Sequence, residues 1–179
     1  MRGFILGIIV TIVAIFAAAL LVAVTGRVTM RADILPPSME KRMAMRAMDM
    51  NVERNAPKIA DPVAPTEENL VAGAALYRDH CTLCHGDPAR PVSPLARTLN
   101  PPPPQFMTEE PDMAENENFY ITLHGVRWIG MPGWKNMMTR QQIWTVVTFL
   151  SRMGSLPPAA KAVFAPAPAK TAPRHPRPK

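Results

Sequence analysis

The sequence predicts an all-α chain: one apolar helix at the N-terminus, then a small helical domain bracketed by proline-rich segments. Three observations carry this. Phe4 to Val24 runs for 21 residues without a charge. Further on, apolar residues recur at helical spacing, and no segment sustains the alternation of a strand. The 21 prolines cluster at Pro36-Pro37, at Pro101 to Pro104 and in the last two dozen residues, so they flank a compact unit with extended chain.

The first element is the apolar run, in which Thr11 is the only polar residue. At helical rise it spans roughly 30 Å, the thickness of a bilayer's hydrocarbon core. A cleaved signal peptide is the competing reading, with Ala17-x-Ala19 as its cleavage site. The apolar run continues past that site through Leu20 to Val24, which favours a retained anchor. Arg27, Arg31, Lys41, Arg42 and Arg46 all follow the helix, so charge bias does not orient it.

The second element is a helix from about Ser38 to Asn55, after the turn at Pro36-Pro37, with Ser38 expected as its N-cap. Met39, Met43, Ala47 and Met50 share one face, and Met45 and Met48 widen the apolar stripe. Such methionines suit an irregular packing surface. A soft-copper site or a basic amphipathic helix on the bilayer would use the same residues. Ala56 to Pro65, with three prolines, reads as a linker.

A third helix begins at Thr66, with Glu67 and Glu68 in its first turn, and runs through Leu70, Gly73 and Tyr77 towards Cys81. Phe119 to Leu123 is a short helical candidate. Thr139 opens the last expected helix, with Gln142 completing a capping box and Ile143, Val146, Val147 and Leu150 as the apolar stripe. From Pro158 the chain is rich in Ala, Pro and Lys and reads as a solvated, extended tail.

The formal net charge of +6 is unevenly placed. Thr66 to Pro157 holds seven basic and nine acidic residues, a net of −2. The basic excess lies in Arg27 to Lys58 and in the tail. A nucleic-acid binder would carry its basic residues on the folded face, so that class is excluded.

The only cysteines are Cys81 and Cys84, which leaves no disulfide framework and no all-cysteine zinc or iron–sulfur site. They stand in Cys81-Thr82-Leu83-Cys84-His85, the C-x-x-C-H pattern of covalent haem attachment. Residues three apart on a helical turn share a face, so both thiols can reach the two vinyl groups of one haem. His85 then lies over the ring as an iron ligand. A thioredoxin-like dithiol would need a strand before the motif. A zinc site would need four ligands, and His80, His124 and His175 supply no second close pair.

Thr66 to Pro157, 92 residues or about half the chain, resembles a class I c-type cytochrome. The resemblance is carried by Gly73-Ala74-Ala75-Leu76-Tyr77, by Cys81 to Gly86, by Gly130-Met131-Pro132-Gly133-Trp134 and by the helix of Ile143-Trp144. It is nearest to membrane-anchored monohaem carriers of the bacterial periplasm. The resemblance implies one covalent haem c and crossed first and last helices, with Gly73 and Tyr77 meeting the face of Trp144. It also implies Met131 as the sixth iron ligand. The local reading agrees, because Met131 follows His85 by 46 residues in a glycine-flanked loop and precedes Pro132. Met107, Met113, Met137 and Met138 are the alternatives, and His124 is a further one. Trp134 and Arg127 are candidates for the haem propionates or for ordinary packing and solvated charge.

A histidine–methionine pair fills both axial positions, and a thioether raises the potential. These properties imply electron transfer without catalysis. The expected organisation is an anchor at 1–26, a Met-rich helical segment and linker at 27–65, a cytochrome c domain at 66–157 and a disordered tail at 158–179. The expected location is the bacterial inner membrane, single-pass, with the haem domain in the periplasm, where this kind of attachment takes place. Expected partners are the membrane and redox proteins presenting a basic surface. The alternative to a free carrier is a haem c subunit of a larger oxidase or dehydrogenase complex.

Overall fold

A computed structural model describes residues 1–165 apart from 28, 30 and 32. Its described residues are helical and contain no strand, with a lone bridge between Asp87 and Arg90. The chain divides into two compact units, Met1–Ile34 and the remainder from Leu35.

The first unit is one helix, α1 (Arg2–Val24). None of its residues is buried within the protein, and its mean hydropathy reaches 3.1. The Thr11 hydroxyl donates to the Gly7 carbonyl at 2.9 Å and so leaves no unpaired polar side chain along the apolar run. By length and composition α1 is a candidate membrane span.

The second unit holds α2 (Ser38–Asn55), α3 (Glu67–His80), the single turn α4 (Thr82–His85), α5 (Glu115–His124), α6 (Arg140–Leu150) and the short α7 (Pro158–Ala162). Two caps appear where the sequence puts them. Thr66 accepts the Asn69 amide at 3.3 Å. Thr139 and Gln142 close a full capping box at the start of α6. Ser38 is the first helical residue of α2, not its cap; that position falls to Pro37, which has no side chain to offer.

α6 is the centre of the domain. All residues from Ile143 to Leu150 are buried, as a helix apolar on every side must be. Its two threonines within that run are satisfied: Thr145 donates to Gln141 and Thr148 to Asp61 and Trp144. One flank packs Ile143, Trp144 and Val147 against Phe119, Leu123, Met138 and Val63. The other packs Val146, Phe149 and Leu150 against Leu70, Ala74, Tyr77 and Ala160. Full burial of such side chains stabilises by roughly 1.5–3 kcal/mol each.

α3 and α6 cross closely, but at a different place from the one the family resemblance implies. A Cβ on Gly73 would lie 2.5 Å from the Thr145 carbonyl oxygen and 2.6 Å from Phe149 Cβ. Tyr77 packs on Phe149, with ring centroids 5.4 Å apart. Trp144 faces the other flank, stacked on Phe119 at 4.1 Å.

The domain also extends beyond its expected edges. On the N-terminal side Val52, Ala56 and Val63 are buried, so the Pro-rich stretch of 56–65 is core-bound chain and not a free linker. Asp61 fixes it to α6 by accepting from Thr148 at 2.7 Å. On the C-terminal side α7 buries Ala160 completely, and Val163 and Phe164 pack against the α3–α6 cluster. α7, not α6, is therefore the last helix described. The expected tail starts no earlier than Ala165, and positions 166–179 lie outside the described residues.

Candidate cofactor site

The C-x-x-C-H motif sits where α3 runs out. Cys81 caps α3 with backbone at φ −112°, ψ −30°, and α4 adds one turn, with His85 donating its amide to the Cys81 carbonyl at 2.9 Å. Gly86 ends it with φ +79°. One short turn thus carries both thiols and the imidazole. Tyr77 secures it from below: its buried hydroxyl is shared between the carbonyls of His85 and Gly86 at 3.2 and 3.0 Å. Burial, with a smaller contribution from Cys81, pushes the Tyr77 phenol far above its usual range, so it remains a donor.

The His85 imidazole is buried, with Nδ1 2.8 Å from the Pro104 carbonyl oxygen. A carbonyl only accepts, so Nδ1 carries the proton and Nε2 keeps its lone pair for a metal. Burial holds His85 below the usual imidazole pKa, which keeps the ring neutral; the Pro104 bond acts the other way. Phe106 stacks on the ring at 4.9 Å. Burial pushes the Cys81 thiol up to about 12, with Cys84 adding to the effect. That opposes the lowered thiol pKa of a dithiol redox site. Among the described residues no three His, Cys, Asp or Glu side chains converge on a common metal position, as a zinc site would require.

Gln105 ties the surrounding loops together. Its Nε2 donates to the carbonyls of Cys84 and Pro103 at 3.0 and 2.7 Å, and its Oε1 accepts from the Ser93 amide at 2.7 Å. Neither Gln105 nor Pro104 stands out in the sequence. The proline run of 101–104 is visible there, but its carbonyl's role is not.

Cys81, Cys84, His85 and Met131 all line one cavity of about 530 Å³. Pro101 to Pro104, Ile121, Val126, Ile129, Val146 and Leu150 make its wall mostly apolar. Met131 is held by its own loop. Its carbonyl accepts from Val126 at 3.0 Å, and Trp134 and Lys135 donate back to the Thr122 and Leu123 carbonyls of α5. Gly125, at φ +70°, lies so close that a Cβ would meet the Met131 carbonyl oxygen at 2.6 Å.

The cavity sorts the other sequence candidates. Met113 lines it; Met107 packs beside α6, Met137 is exposed and Met138 is core. Trp134 packs on His80 at 5.2 Å, Arg127 is exposed, and neither is among the described lining residues. His124 is exposed beside Tyr120. Three lining residues do not announce this position in the sequence: Met45, Met48 and Asp49 of α2. The solvent side of α2 is the stripe that helical spacing picks out, with Met39, Met43 and Met50 exposed.

This donor set fits a haem c: two thiols, a neutral imidazole with a free Nε2 and a thioether, all on one apolar cavity. A family model described as cytochrome c oxidase, cbb3-type, subunit III matches residues 68–150. No curated protein and no solved structure matches the chain. The matched stretch runs from the first turn of α3 to the end of α6 and includes the attachment turn and Met131. Residues 68–150 form a c-type cytochrome domain, which binds haem c covalently and serves electron transport.

Proposed function

We propose that this chain is a membrane-tethered carrier of single electrons whose haem iron is ligated by His85 and Met131. The observation that carries this is the shared cavity, in which a buried imidazole with its Nε2 free and a loop-held thioether accompany the two attachment cysteines. Haem c supplies a one-electron iron couple. The chain's own residues do the rest. Cys81 and Cys84 would hold the group through two thioethers. Pro104 orients His85 and raises its basicity as a ligand. Met131 would supply the second protein ligand, which would leave small oxidants no open site, and its thioether would favour ferrous iron. The apolar wall keeps solvent reorganisation small.

α1 is the tether in this reading, and the haem domain lies on the periplasmic side of a bacterial inner membrane. The functional domain is best drawn from α2 to Phe164, since Val52, Val63 and Phe164 all join its packing. A second reading is a haem c subunit of a larger oxidase, favoured by the family description that matches residues 68–150. Copurification of further subunits from gently solubilised membranes distinguishes the two.

The ligand assignment is tested by Met131→Ala. The reduced variant should bind carbon monoxide while the parent does not, and its potential should fall. A variant that stays six-coordinate at the parent's potential would assign the sixth position to another methionine.

A further inference from the structure

α2 lies outside the segment matched by the family model, yet it reaches the cofactor cavity. Its C-terminal half is seated on α5. Val52 and Ala56 are 4% and 3% exposed, and Asn116 on α5 donates to the Pro57 carbonyl at 3.0 Å. α5 itself lines the cavity with Asn118, Ile121 and Thr122. One and two turns before Val52, the same face of α2 presents Met48 and Met45, both half-buried and both on the cavity wall, where the exposed Asp49 is the third α2 residue. On the opposite face Met39 and Met43 are 65% and 66% exposed. The methionines of α2 therefore divide into a cavity pair and a solvent set.

We infer that α2 is an outer wall of the haem cavity, and that Met45 and Met48 pack against the bound haem and keep water from it without ligating iron. The inference rests on the haem reading above. Methionine suits such a wall because it is unbranched, polarizable and favourable beside aromatic rings, and it brings no charge. Water kept from the haem disfavours the more highly charged ferric state, so these two side chains raise the potential, against the opposite pull of the Asp49 charge on the same wall. The Met-rich segment is thus part of the redox centre, in addition to linking it to α1.

The test uses the full-length, detergent-solubilised holoprotein. With Met45→Ser/Met48→Ser the oxidised-to-reduced ratio at a fixed ambient potential should rise by about threefold or more, while the low-spin spectrum and resistance to carbon monoxide persist. Met45→Leu/Met48→Leu should return the ratio to that of the parent, since leucine also excludes water. Met39→Ser/Met43→Ser should leave it unchanged. In the unmodified protein, peroxide should convert Met45 and Met48 to sulfoxide about fivefold or more slowly than Met39 and Met43, read by mass spectrometry. A serine pair with the parent's ratio, or equal oxidation of all four methionines, overturns the inference. So does a leucine pair that loses its low-spin spectrum, because α2 would then supply an iron ligand. Failure of the haem reading itself would look different: the parent would carry no covalent haem.

Discussion

His85 Nδ1 lies 2.8 Å from the Pro104 carbonyl oxygen, across 19 residues of chain. The residue that keeps them together is Gln105, next to Pro104 and bonded to Cys84, Pro103 and Ser93. Replacing Gln105 by alanine strands a buried amide at Ser93 and frees the Pro104 carbonyl to move. Leaving such groups unpaired costs about 1–3 kcal/mol. The holoprotein should lose that much stability in denaturant titration. With His85 as the proposed iron ligand its potential should rise, because a less basic imidazole stabilises ferric iron less. Unchanged stability and potential would show that the loop holds Pro104 without Gln105.

The contact between α3 and α6 at Gly73 gives a second expectation. Alanine is the better helix former by about 1 kcal/mol. Here its Cβ would meet the Thr145 carbonyl oxygen at 2.5 Å, and backbone cannot rotate away as a side chain can. Overpacking costs about 1–3 kcal/mol. With a contact this short the clash should win, and Gly73→Ala should destabilise the domain by about 1–2 kcal/mol net. A variant as stable as the parent in thermal unfolding would mean that α3 and α6 can part without cost.

The legible part of this protein is the part set by local rules. The attachment turn, the Thr66 and Thr139 caps and the apolar run of α1 each depend on residues a few positions apart. The helical spacing of α2 is legible too, but not the face it buries. Met39-Met43-Ala47-Met50 and Met45-Met48-Val52 are both acceptable stripes, and only the position of α5 decides between them. The ends of the domain are hidden for a related reason. Proline and alanine near 56–65 and 158–164 suggest solvated chain, yet single apolar residues such as Val63 and Phe164 anchor those stretches from a distance. Gln105 leaves no sequence signal because its three bonds join segments that no periodicity connects.

Asp61 gives a pH dependence with a definite sign. Burial holds its carboxyl above the usual carboxylate range and Glu115 adds to this, while the Val63 amide and the Thr148 hydroxyl pull the other way. With a raised pKa the native state binds this proton more readily than the unfolded chain does. Stability from this group therefore falls as pH rises from the ordinary value of about 3.9 through the folded one. In Asp61→Asn that dependence disappears. The stability of the parent minus that of the variant should be larger near pH 4 than near pH 7, whatever the constant offset from altered hydrogen bonding. Groups common to both proteins cancel in the difference. A difference that is flat across the series would mean that Asp61 has no shift.

The acidic run at Glu109, Glu110, Asp112, Glu115 and Glu117 bears on which partners can dock. The structure gives its members different work. Glu109 accepts from the Gln105 amide at 2.8 Å, Glu117 accepts from the Ala114 amide at 3.1 Å, and Glu115 opens α5, where the helix dipole favours an acid. Glu110 and Asp112 are exposed and lie on the cavity wall. Steering by charge governs encounter in small, transient redox complexes more than contact area does. If these two residues set the field at the haem, the electron partner presents a basic surface. Small reagents test the field directly. Oxidation of the reduced protein by tris(1,10-phenanthroline)cobalt(III), a cation, should be fast at low ionic strength and slow as salt is added. Ferricyanide, an anion, should show the opposite slope. Screening at 0.15 M acts over about 8 Å, so both slopes should level off near that concentration. Glu110→Gln/Asp112→Asn spares the backbone bonds of Glu109 and Glu117 and should flatten both. If variant and parent give the same pair of slopes, the charge that steers docking lies elsewhere on the domain.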